Sequence, residues 1–503
     1  MFRWIMVFLL LLIALPAAAQ EPTRAGVAPQ VMQQLRAGSP ARVIVTVRVP
    51  NERRASIAQS QTRVLSAAAG SGFTPGYQYQ TVPAFSATVA DAAALNRLTA
   101  HPDVLLVEAD LPGGGHMETS LQAIGADQAQ DLGYTGAGVL VGVLDSGIDT
   151  NHPDLVESIV GQYCILRQEV GCTPDGGGSG NVQVSNNAED EHGHGTHVTG
   201  TITSDGDNGI APRGFAPDAG VVAVRVLDRY NSGWVSDWTA GLDWLNANYA
   251  TYPVDIINMS LGTNARYTSV CDTRLSAFYQ AVKNLTDRGV IIFASTGNQA
   301  DKTAISAPTC FSNVVAVGAT YDSNVGRVIY NSYPCRDETT AFAQVTCFTN
   351  SNDLLDIVAP GAPIRSAYIG NQSRTFYGTS MASPTAAGVA ALMLQANPAL
   401  TADQILEMML DTGPTVEDRA NDVEIPHLDA LGAVLAAQEL GRYDVNRDGI
   451  LSSADMDFVV ARLGNLSSES QESATSDINR DGRVSPTDVV TLFNYIAAQS
   501  ASR

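Results

Sequence analysis

Short apolar stretches of strand length recur between residues 136 and 437, separated by stretches with a helical pattern such as Thr239 to Asn248. Strands of this kind are buried on both faces, which occurs mainly where helices cover a parallel sheet on each side. The predicted fold class is therefore α/β, with a mostly parallel sheet between helices. The predicted strands are Val139 to Leu144, Gly220 to Leu227, Asp255 to Met259, Val290 to Ala294 and Val314 to Val317.

Two further regions flank the predicted sheet. Before it, the sequence from 41 to 109 alternates β-branched runs with an alanine-rich helical stretch, which predicts a small α+β domain. The cluster Gly113 to Gly115 then predicts an exposed linker that proteases can reach. After Gly441, two similar segments each carry an acidic loop followed by an apolar helix, which predicts a separate C-terminal module.

The first residues predict export. Arg3 precedes an apolar run from Trp4 to Leu15 that is short for a membrane-spanning helix, and Ala17 to Ala19 offer small residues to a signal peptidase. We therefore expect residues 1–19 to be a removed signal peptide, in preference to an uncleaved membrane anchor. The expected location is secreted and extracellular.

Six cysteines suit an exported protein, because none belongs to a CxxC pair of the metal-binding or redox kind. Local spacing favours two short disulfides and leaves the remaining two cysteines for each other. The predicted pairs are Cys164 with Cys172, Cys335 with Cys347, and Cys271 with Cys310.

The charge balance excludes one class of partner. The formal net charge is -22 and the pI is near 4.6, whereas binding to nucleic-acid phosphates needs a basic surface. No nucleic-acid partner is expected, and the acidity suits calcium binding instead.

Three loop segments carry groups suited to nucleophilic catalysis. Asp145 ends a predicted strand within DSGID, His194 lies in the glycine-rich HGHGTHVTG, and Ser380 lies in GTSMASP before an alanine-rich helix. A serine hydroxyl is a poor nucleophile unless an imidazole takes its proton and a carboxylate orients that imidazole. Alone, the aspartate reads as a turn former and the serine as a helix cap. Together the segments supply all three groups.

Two further observations bear on this site. The three histidines His192, His194 and His197 could bind zinc instead, but their spacing is neither HExxH nor a Cys/His finger pattern. Asn298 ends the segment ASTGN, where its amide could donate to a developing oxyanion together with the backbone N–H of Ser380.

The motifs DSGID, HGHGTHVTG, NMSLG, ASTGN and GTSMASP, in this order, resemble those of the subtilisin-like serine peptidases, the subtilases of peptidase family S8. The resemblance covers roughly residues 120 to 437 and implies a subtilisin-like three-layer fold for a peptidase domain at 117–438. It implies a secreted serine endopeptidase. The implied roles are orienting aspartate for Asp145, general base for His194, oxyanion donor for Asn298 and nucleophile for Ser380.

The resemblance also implies how protein or peptide substrates bind. The substrate backbone would add as a β-strand between two edge segments, which implies broad specificity. Side-chain pockets walled by Trp234 and Val235 would add an apolar preference. The implied substrate-binding residues are Ser232, Gly233, Trp234, Ser260, Leu261 and Gly262. His197 would be structural, and Thr199 stands where the family more often has alanine, which should alter packing rather than chemistry.

Residues 20–116 resemble the inhibitor I9-like propeptide of the same family, with Val107 to Asp110 matching its closing strand. The resemblance implies an intramolecular inhibitor that assists folding and is removed autocatalytically between about Leu111 and Ser120. The protein would then be made as a zymogen. A permanent N-terminal domain is the alternative.

The acidic loops of residues 441–503 predict a tandem calcium-binding module. Each loop places oxygen ligands at positions 1, 3, 5, 9 and 12 and glycine at position 6, as calcium loops do. The predicted ligands are Asp444, Asn446, Asp448, Ser452 and Asp455 in the first loop, and Asp477, Asn479, Asp481, Ser485 and Asp488 in the second.

The two loops resemble the dockerin type I repeat, in which one helix follows each calcium loop, here roughly Met456 to Leu463 and Val489 to Ala498. Dockerins bind cohesin modules, so the resemblance implies a cohesin-type or cell-surface partner. A calcium-stabilised tail without a partner is an equal alternative.

Three other functions compete with the peptidase interpretation. A catalytically inactive subtilase relative would normally have lost one of the three catalytic groups, and none is replaced here. The sedolisins share the serine motif but use a glutamate base, which HGHGTH disfavours. In the third, the C-terminal module carries the main function and the peptidase is secondary.

Overall fold

A computed structural model describes the chain over residues 25–50, 54–79, 82–109, 118–167, 172, 182–330, 335–447, 450–465 and 475–501. The predicted signal peptide, the linker at Gly113 to Gly115 and Asp448 lie outside these residues. The chain divides into two compact units, Met1–Gly115 and His116–Arg503.

The first unit has the predicted α+β character. Among its described residues, five strands form one sheet in the order β1-β5-β2-β4-β3, and β2 pairs antiparallel with both β4 and β5. The sheet packs on its helices around buried residues such as Val43, Val45 and Leu98. The elements are β1 (Gly26–Val27), α1 (Pro29–Arg36), β2 (Ala41–Val47), α2 (Arg54–Ala68), β3 (Phe73–Gln78), β4 (Ala84–Val89), α3 (Ala92–Thr99) and β5 (Val104–Ala109).

The second unit is built on the predicted parallel sheet. Its described residues form eight strands in the order β17-β14-β12-β10-β6-β9-β7-β8, and every neighbouring pair except β7 with β8 is parallel. All five predicted strands are present. The strands are β6 (Leu140–Asp145), β7 (Ile159–Arg167), β8 (Val182–Ser185), β9 (Gly220–Arg225), β10 (Ile256–Met259), β12 (Ile291–Ser295), β14 (Val315–Tyr321) and β17 (Ile357–Ala362).

Helices cover both faces of this sheet, so the class is the subtilisin-like α/β fold. Helix α9 is buried along most of its length and contacts strands β10, β12 and β14 and the edge strand β17. The helices are α4 (Glu118–Ala123), α5 (Ala126–Asp131), α6 (His194–Thr203), α7 (Val235–Ala247), α8 (Ser276–Thr286), α9 (Thr379–Ala396), α10 (Ala402–Thr412) and α11 (Ala430–Tyr443), with a short 3₁₀ helix at Val156–Ser158.

Short antiparallel strand pairs lie outside the eight-stranded sheet. They pair β11 with β13, β15 with β16, β18 with β19, and β20 with β21. Their bounds are β11 (Arg266–Tyr267), β13 (Ile305–Ser306), β15 (Val328–Ile329), β16 (Arg336–Asp337), β18 (Ile364–Tyr368), β19 (Gln372–Phe376), β20 (Thr415–Asp418) and β21 (Val423–Pro426).

The topology gathers the predicted site at one edge of the sheet. Strand β6 lies between β9 and β10, and β10 pairs with β12, so the carboxyl ends of these strands are neighbours. Asp145 ends β6, Ser260 follows β10, and Asn298 follows β12. In open α/β sheets this edge is where ligands bind.

The three predicted disulfides are confirmed. Cys164 bonds to Cys172, Cys271 to Cys310, and Cys335 to Cys347. All six cysteines are therefore paired.

The C-terminal module has its own small core, formed by Val445, Val459, Ile478, Val484 and Leu492. Its helices are α12 (Ser453–Val460) and α13 (Pro486–Ala501). Both begin three residues earlier than predicted. At α12 the cause is a capping box, in which the Ser452 hydroxyl and the Asp455 carboxylate accept each other's backbone N–H groups.

The helices of the described residues include none that combines the length and the apolar character needed to cross a membrane.

Candidate active site

Asp145 and His194 form a buried hydrogen-bonded pair. The Nδ1–H of His194 donates to Oδ1 of Asp145 at 2.7 Å, and the Asp145 side chain is only 1 % exposed. The backbone N–H of Ser146 donates to the same oxygen at 2.7 Å. This geometry fixes the imidazole tautomer, because Nδ1 carries the proton and Nε2 is left as the base.

Two glycines let the segments of Asp145 and His194 meet. A Cβ on Gly195 would lie 2.2 Å from the carbonyl oxygen of Gly147, and a Cβ on Gly147 would lie 2.2 Å from the carbonyl oxygen of Ala188. Real Cβ contacts are never this short, so both positions require glycine. Glycine at these two positions therefore lets the two backbone segments approach each other closely.

The electrostatics favour a protonatable base at His194 alone. Burial lowers the pKa of His194, but the charge of Asp145 and its hydrogen bond outweigh burial, so that pKa lies above its ordinary value. Burial and the charge of His194 lower the pKa of His192, and burial lowers the pKa of His197 to about 3. Of these three histidines, only His194 is hydrogen-bonded to a carboxylate, and it is the one suited to take up a proton.

His197 has surroundings that suit a structural residue. Its Nε2–H donates to the carbonyl oxygens of Ile364 at 3.1 Å and Arg374 at 3.0 Å. Its ring stacks on Phe376 at 4.4 Å between centroids. These contacts tie α6 to the β18–β19 hairpin.

Ser380 lies in the first turn of α9, so the positive end of this helix faces the site. Its backbone carbonyl accepts a hydrogen bond from the Ser260 hydroxyl at 2.8 Å. Among the hydrogen bonds of the described residues, the Ser380 hydroxyl donates to the Ser260 carbonyl at 3.3 Å rather than to His194. Catalytic hydrogen bonds are commonly loose before substrate binds and tighten in the complex.

Asn298 and the backbone N–H of Ser380 converge on one point beside Gly378. The Asn298 side-chain oxygen accepts from the N–H and the hydroxyl of Thr379, both at 2.9 Å, which orients its Nδ2 amide group. A Cβ built on Gly378 would lie 3.4 Å from Asn298 Nδ2 and 3.6 Å from Ser380 N. A side chain at position 378 would enter the space between these two donors, whereas glycine leaves that space open.

A cavity of ≈ 540 Å³ joins these groups to the predicted substrate segments. Its lining includes His194, Asn298 and Ser380. All six predicted substrate-binding residues also line it, namely Ser232, Gly233, Trp234, Ser260, Leu261 and Gly262. Trp234 is 62 % exposed at its rim, next to Val235.

A second cavity lies on the other side of Ser380. It shares His194, Asn298 and Ser380 with the first and continues past Gly378 to Ile329 and Tyr377. The serine thus stands between two recesses of the surface.

The described residues of the two predicted calcium loops share several backbone features. Asp455 and Asp488 are fully buried, and each accepts a backbone N–H from position 3 of its own loop, at 3.2 Å for Asn446 and 2.9 Å for Asn479. Arg447 and Arg480, at position 4, share a left-handed φ of 59° and 58°. Asp477 accepts N–H groups of Asp481 and Gly482. Two equivalent loops that bury carboxylates fit a cation at each.

Sequence reasoning missed two buried charged residues beside the site, Asp190 and Arg225. Asp190 accepts N–H groups on both sides of His194, and Arg225 pairs in register with Asp145. The available signal was an acidic residue four positions before His194 in a glycine-rich loop.

A buried aspartate–histidine pair beside a serine at a helix N-terminus, on the carboxyl edge of a parallel sheet, is the arrangement of an α/β serine peptidase. Comparison with family models agrees, since the model of the subtilase family matches residues 136–432. The chain belongs to the subtilase family and is a subtilisin-like serine protease. A second model, the dockerin type I domain, matches residues 442–497, so the chain also carries a C-terminal dockerin type I domain.

Individual relatives are subtilisins and related proteases. M-protease of Shouchella clausii (strain KSM-K16) is 33 % identical over 67 % of this chain and 75 % of its own length. Subtilisin Savinase of Lederbergia lenta is 35 % identical over 59 % of this chain and 91 % of its own. The match to minor extracellular protease Epr of Bacillus subtilis (strain 168), 31 % identical over 66 % of this chain, spans only 46 % of Epr.

A solved structure of a cold adapted subtilisin-like serine proteinase is 27 % identical, with a TM-score of 0.44. The match covers 58 % of this chain and 90 % of that one.

Proposed function

We propose that this protein is a secreted serine endopeptidase in which Asp145, His194 and Ser380 form the catalytic triad. The observation that carries the proposal is the buried 2.7 Å hydrogen bond between His194 and Asp145, at a cavity that Ser380 and Asn298 also line.

The proposed reaction has two halves. The Ser380 hydroxyl attacks the scissile carbonyl while Nε2 of His194 takes its proton, and the imidazolium then protonates the leaving amine as the acyl-enzyme forms. In the second half, water attacks the acyl-enzyme while Nε2 of His194 takes its proton. The imidazolium then protonates Ser380 as the acid product leaves. Asn298 Nδ2 and the Ser380 N–H would stabilise the oxyanion in both halves.

Cleavage within a chain, rather than at its end, suits the surroundings of Ser380. The two cavities leave room for substrate on both sides of the serine. A substrate strand between Ser232 to Trp234 and Ser260 to Gly262 would occupy the first cavity, and the residues after the cut would follow the second.

The N-terminal unit is proposed as an inhibitory propeptide that Ser380 removes. Ser120 supports a cut on its N-terminal side, because this serine is buried and its hydroxyl donates to Asp322 at 2.6 Å. Wild type should therefore begin between Leu111 and Ser120 after maturation, whereas Ser380→Ala should keep its N-terminal unit. Identical N-termini in both, found by sequencing and intact mass, would contradict self-processing.

The dockerin domain is proposed to bind calcium and, through it, a cohesin-type or cell-surface partner outside the cell. The ligands would be the oxygens of Asp444, Asn446, Asp448, Ser452 and Asp455, and of Asp477, Asn479, Asp481, Ser485 and Asp488. Calcium would neutralise the buried carboxylates of these loops and so stabilise the module.

Hydrolysis of casein and of a chromogenic tetrapeptide anilide tests the peptidase proposal. Wild type should cleave both, and Ser380→Ala should lose about 10⁶-fold in kcat, the order found when such a nucleophile is removed. Ser383→Ala is the matched control, because this buried serine lies one turn further along α9 and bonds Asn258 rather than the site. Activity retained in Ser380→Ala would refute the proposal.

A further inference from the structure

Asp190 is a buried carboxylate, 5 % exposed, that accepts five hydrogen bonds. Oδ1 accepts from His192 N at 2.9 Å, Gly193 N at 2.9 Å and the Ser146 hydroxyl at 3.0 Å. Oδ2 accepts from the N–H and the hydroxyl of Thr196 at 3.0 and 2.7 Å. Burying a carboxylate costs free energy unless hydrogen bonds compensate for the lost water. Five hydrogen bonds to one buried carboxylate therefore indicate that a negative charge is needed at this position.

The buried charge of Asp190 is stabilised by hydrogen-bond donors and by the dipole of a helix, not by an ion pair with a cationic side chain of the described residues. Among the ion pairs of the described residues, none involves Asp190. The carboxylate instead stands before the first turn of α6, where the unpaired N–H groups of a ten-residue helix favour an anion. His194 is the first residue of that helix.

The donors come from two of the three segments that supply the proposed triad, those of Asp145 and His194. Ser146 follows Asp145 in sequence, while Gly193 and Thr196 flank His194. The Ser146 hydroxyl also accepts from Gly195 N at 2.8 Å while it donates to Asp190. One carboxylate and one hydroxyl thus join the backbone next to Asp145 to the backbone around His194.

Arg225 holds the segment of Asp190 from its other side. This arginine is 1 % exposed and lies directly opposite Asp145 in the parallel pairing of β6 with β9. Its guanidinium donates to the Glu189 carbonyl at 2.6 Å and to the Glu191 carboxylate at 2.7 Å. The residues before and after Asp190 are therefore anchored beside the strand that carries Asp145.

We propose that Asp190 is a positioning residue that sets His194 in register with Asp145, with Ser146 as its bridge and Arg225 as its anchor. The inference rests on the proposed function of His194 as general base. Asp190 bonds the backbone around the imidazole and not its ring, so it acts through His194 rather than on the substrate. A small displacement of the imidazole would weaken its hydrogen bond to Asp145 and would change the distance from its Nε2 to the Ser380 hydroxyl.

The charge of Asp190 has a second effect. It contributes, after burial and the interactions with Asp145, to the pKa of His194, and it acts to raise that pKa. The other titratable groups that interact with His194 are Asp145, His197 and His192, whose ring centroid is 6.4 Å from that of His194. Removing the Asp190 charge should therefore move the acid limb of activity, which titrates His194, to lower pH.

Asp190→Asn in the full chain tests the inference, because the amide keeps the shape but its Nδ2 would face donors of the same network. We expect kcat for the peptide anilide to fall about 100-fold per titrated active site, with KM within about twofold, since a misplaced catalytic group costs about this much. The acid limb of kcat/KM should shift to lower pH.

Asp154→Asn is the matched control. Asp154 is also buried and accepts the backbone N–H groups of Asn208, Ile210 and Ala211 at 2.8, 3.2 and 2.7 Å, but none of these bonds joins the segments of Asp145 and His194. This variant should lower Tm while kcat and the pH profile stay as in wild type. A purely structural role for Asp190 would give the same pattern.

Two outcomes separate this inference from the function on which it rests. If Asp190→Asn lowers Tm but leaves kcat and the pH profile unchanged while Ser380→Ala is inactive, the positioning role is overturned and the peptidase stands. If Ser380→Ala stays active, the proposed function itself fails. Should Asp190→Asn not fold, Ser146→Ala removes only the bridging hydroxyl, and unchanged kcat in that variant would overturn the inference.

Discussion

Nδ1 of His194 lies 2.7 Å from Oδ1 of Asp145, and the aspartate is almost completely buried. Water cannot screen a carboxylate in this position, so its charge acts directly on the imidazole. The pKa of His194 is consequently raised above its usual value even though burial acts to lower it. The pair therefore controls both the orientation and the protonation of the proposed base.

Asp145→Asn should lower kcat by about 10⁴-fold, the loss typical of serine peptidases with this change. The general base must be neutral, so activity is present above the pKa of His194 and lost as pH falls through it. Without the carboxylate that pKa drops, and the acid limb of kcat/KM should move to lower pH. A pH profile with an unmoved acid limb would show that Asp145 does not act on His194.

Gly378→Ala should abolish most activity without unfolding the protein. The added methyl group would stand between Asn298 Nδ2 and Ser380 N, in the space proposed for the oxyanion. Since one oxyanion donor is worth about 10² to 10³ in kcat, the loss should be at least this large. Asn298→Ala combined with Gly378→Ala should lose little more than Gly378→Ala alone. If the losses in kcat of the two single variants added up in the double variant, the methyl group would not act at the oxyanion position.

The parallel sheet could be predicted because its signals are local, and the three segments of the proposed triad are recognisable from equally local motifs. Strands such as β10 and β12 are buried at every residue, so their sequences are mostly apolar. Asp145 and His194 each lie in a short motif in which a glycine is required by a close backbone contact, and Ser380 lies in a short motif at the start of α9.

Other features depend on residues far apart in sequence. Strand β7 is only partly buried and contains Gly161 and Gln162, so it lacks an apolar run, although it pairs with β9. Strand β17 contains Pro360 and Gly361, which resemble a turn, yet it is a buried strand at the end of the sheet. Asp190 lies close to His194 in sequence, but its bond to the Ser146 hydroxyl, 44 positions earlier, forms only on folding.

Thr199 provides a test of packing near the site. Its hydroxyl is buried and has no hydrogen-bond partner among the residues that the structure describes, which costs about 1 to 3 kcal/mol. Thr199→Val keeps the shape and should raise Tm by about 2 to 4 °C in the Ser380→Ala background, where autolysis cannot interfere. Thr201→Val is the control, because that hydroxyl donates to the His197 carbonyl at 2.9 Å. Equal shifts in both variants would contradict this explanation.

Calcium should bind to both loops of the dockerin domain. Asp488→Asn removes a buried carboxylate from the second loop, so titration calorimetry should count one calcium ion fewer than in the parent protein. Asp457→Asn, an exposed acid on α12 outside both loops, should leave the count unchanged. Equal stoichiometry in the parent and Asp488→Asn would rule out the second loop as a calcium site.

Covalent labelling by a fluorophosphonate tests the central claim most directly, because this probe reacts with a serine only when a neighbouring base activates it. Digestion and mass spectrometry should place a single adduct on Ser380 in wild type, and His194→Ala should label at a rate lower by several orders of magnitude. Unlabelled wild type, or labelling that does not depend on His194, would contradict the proposed triad.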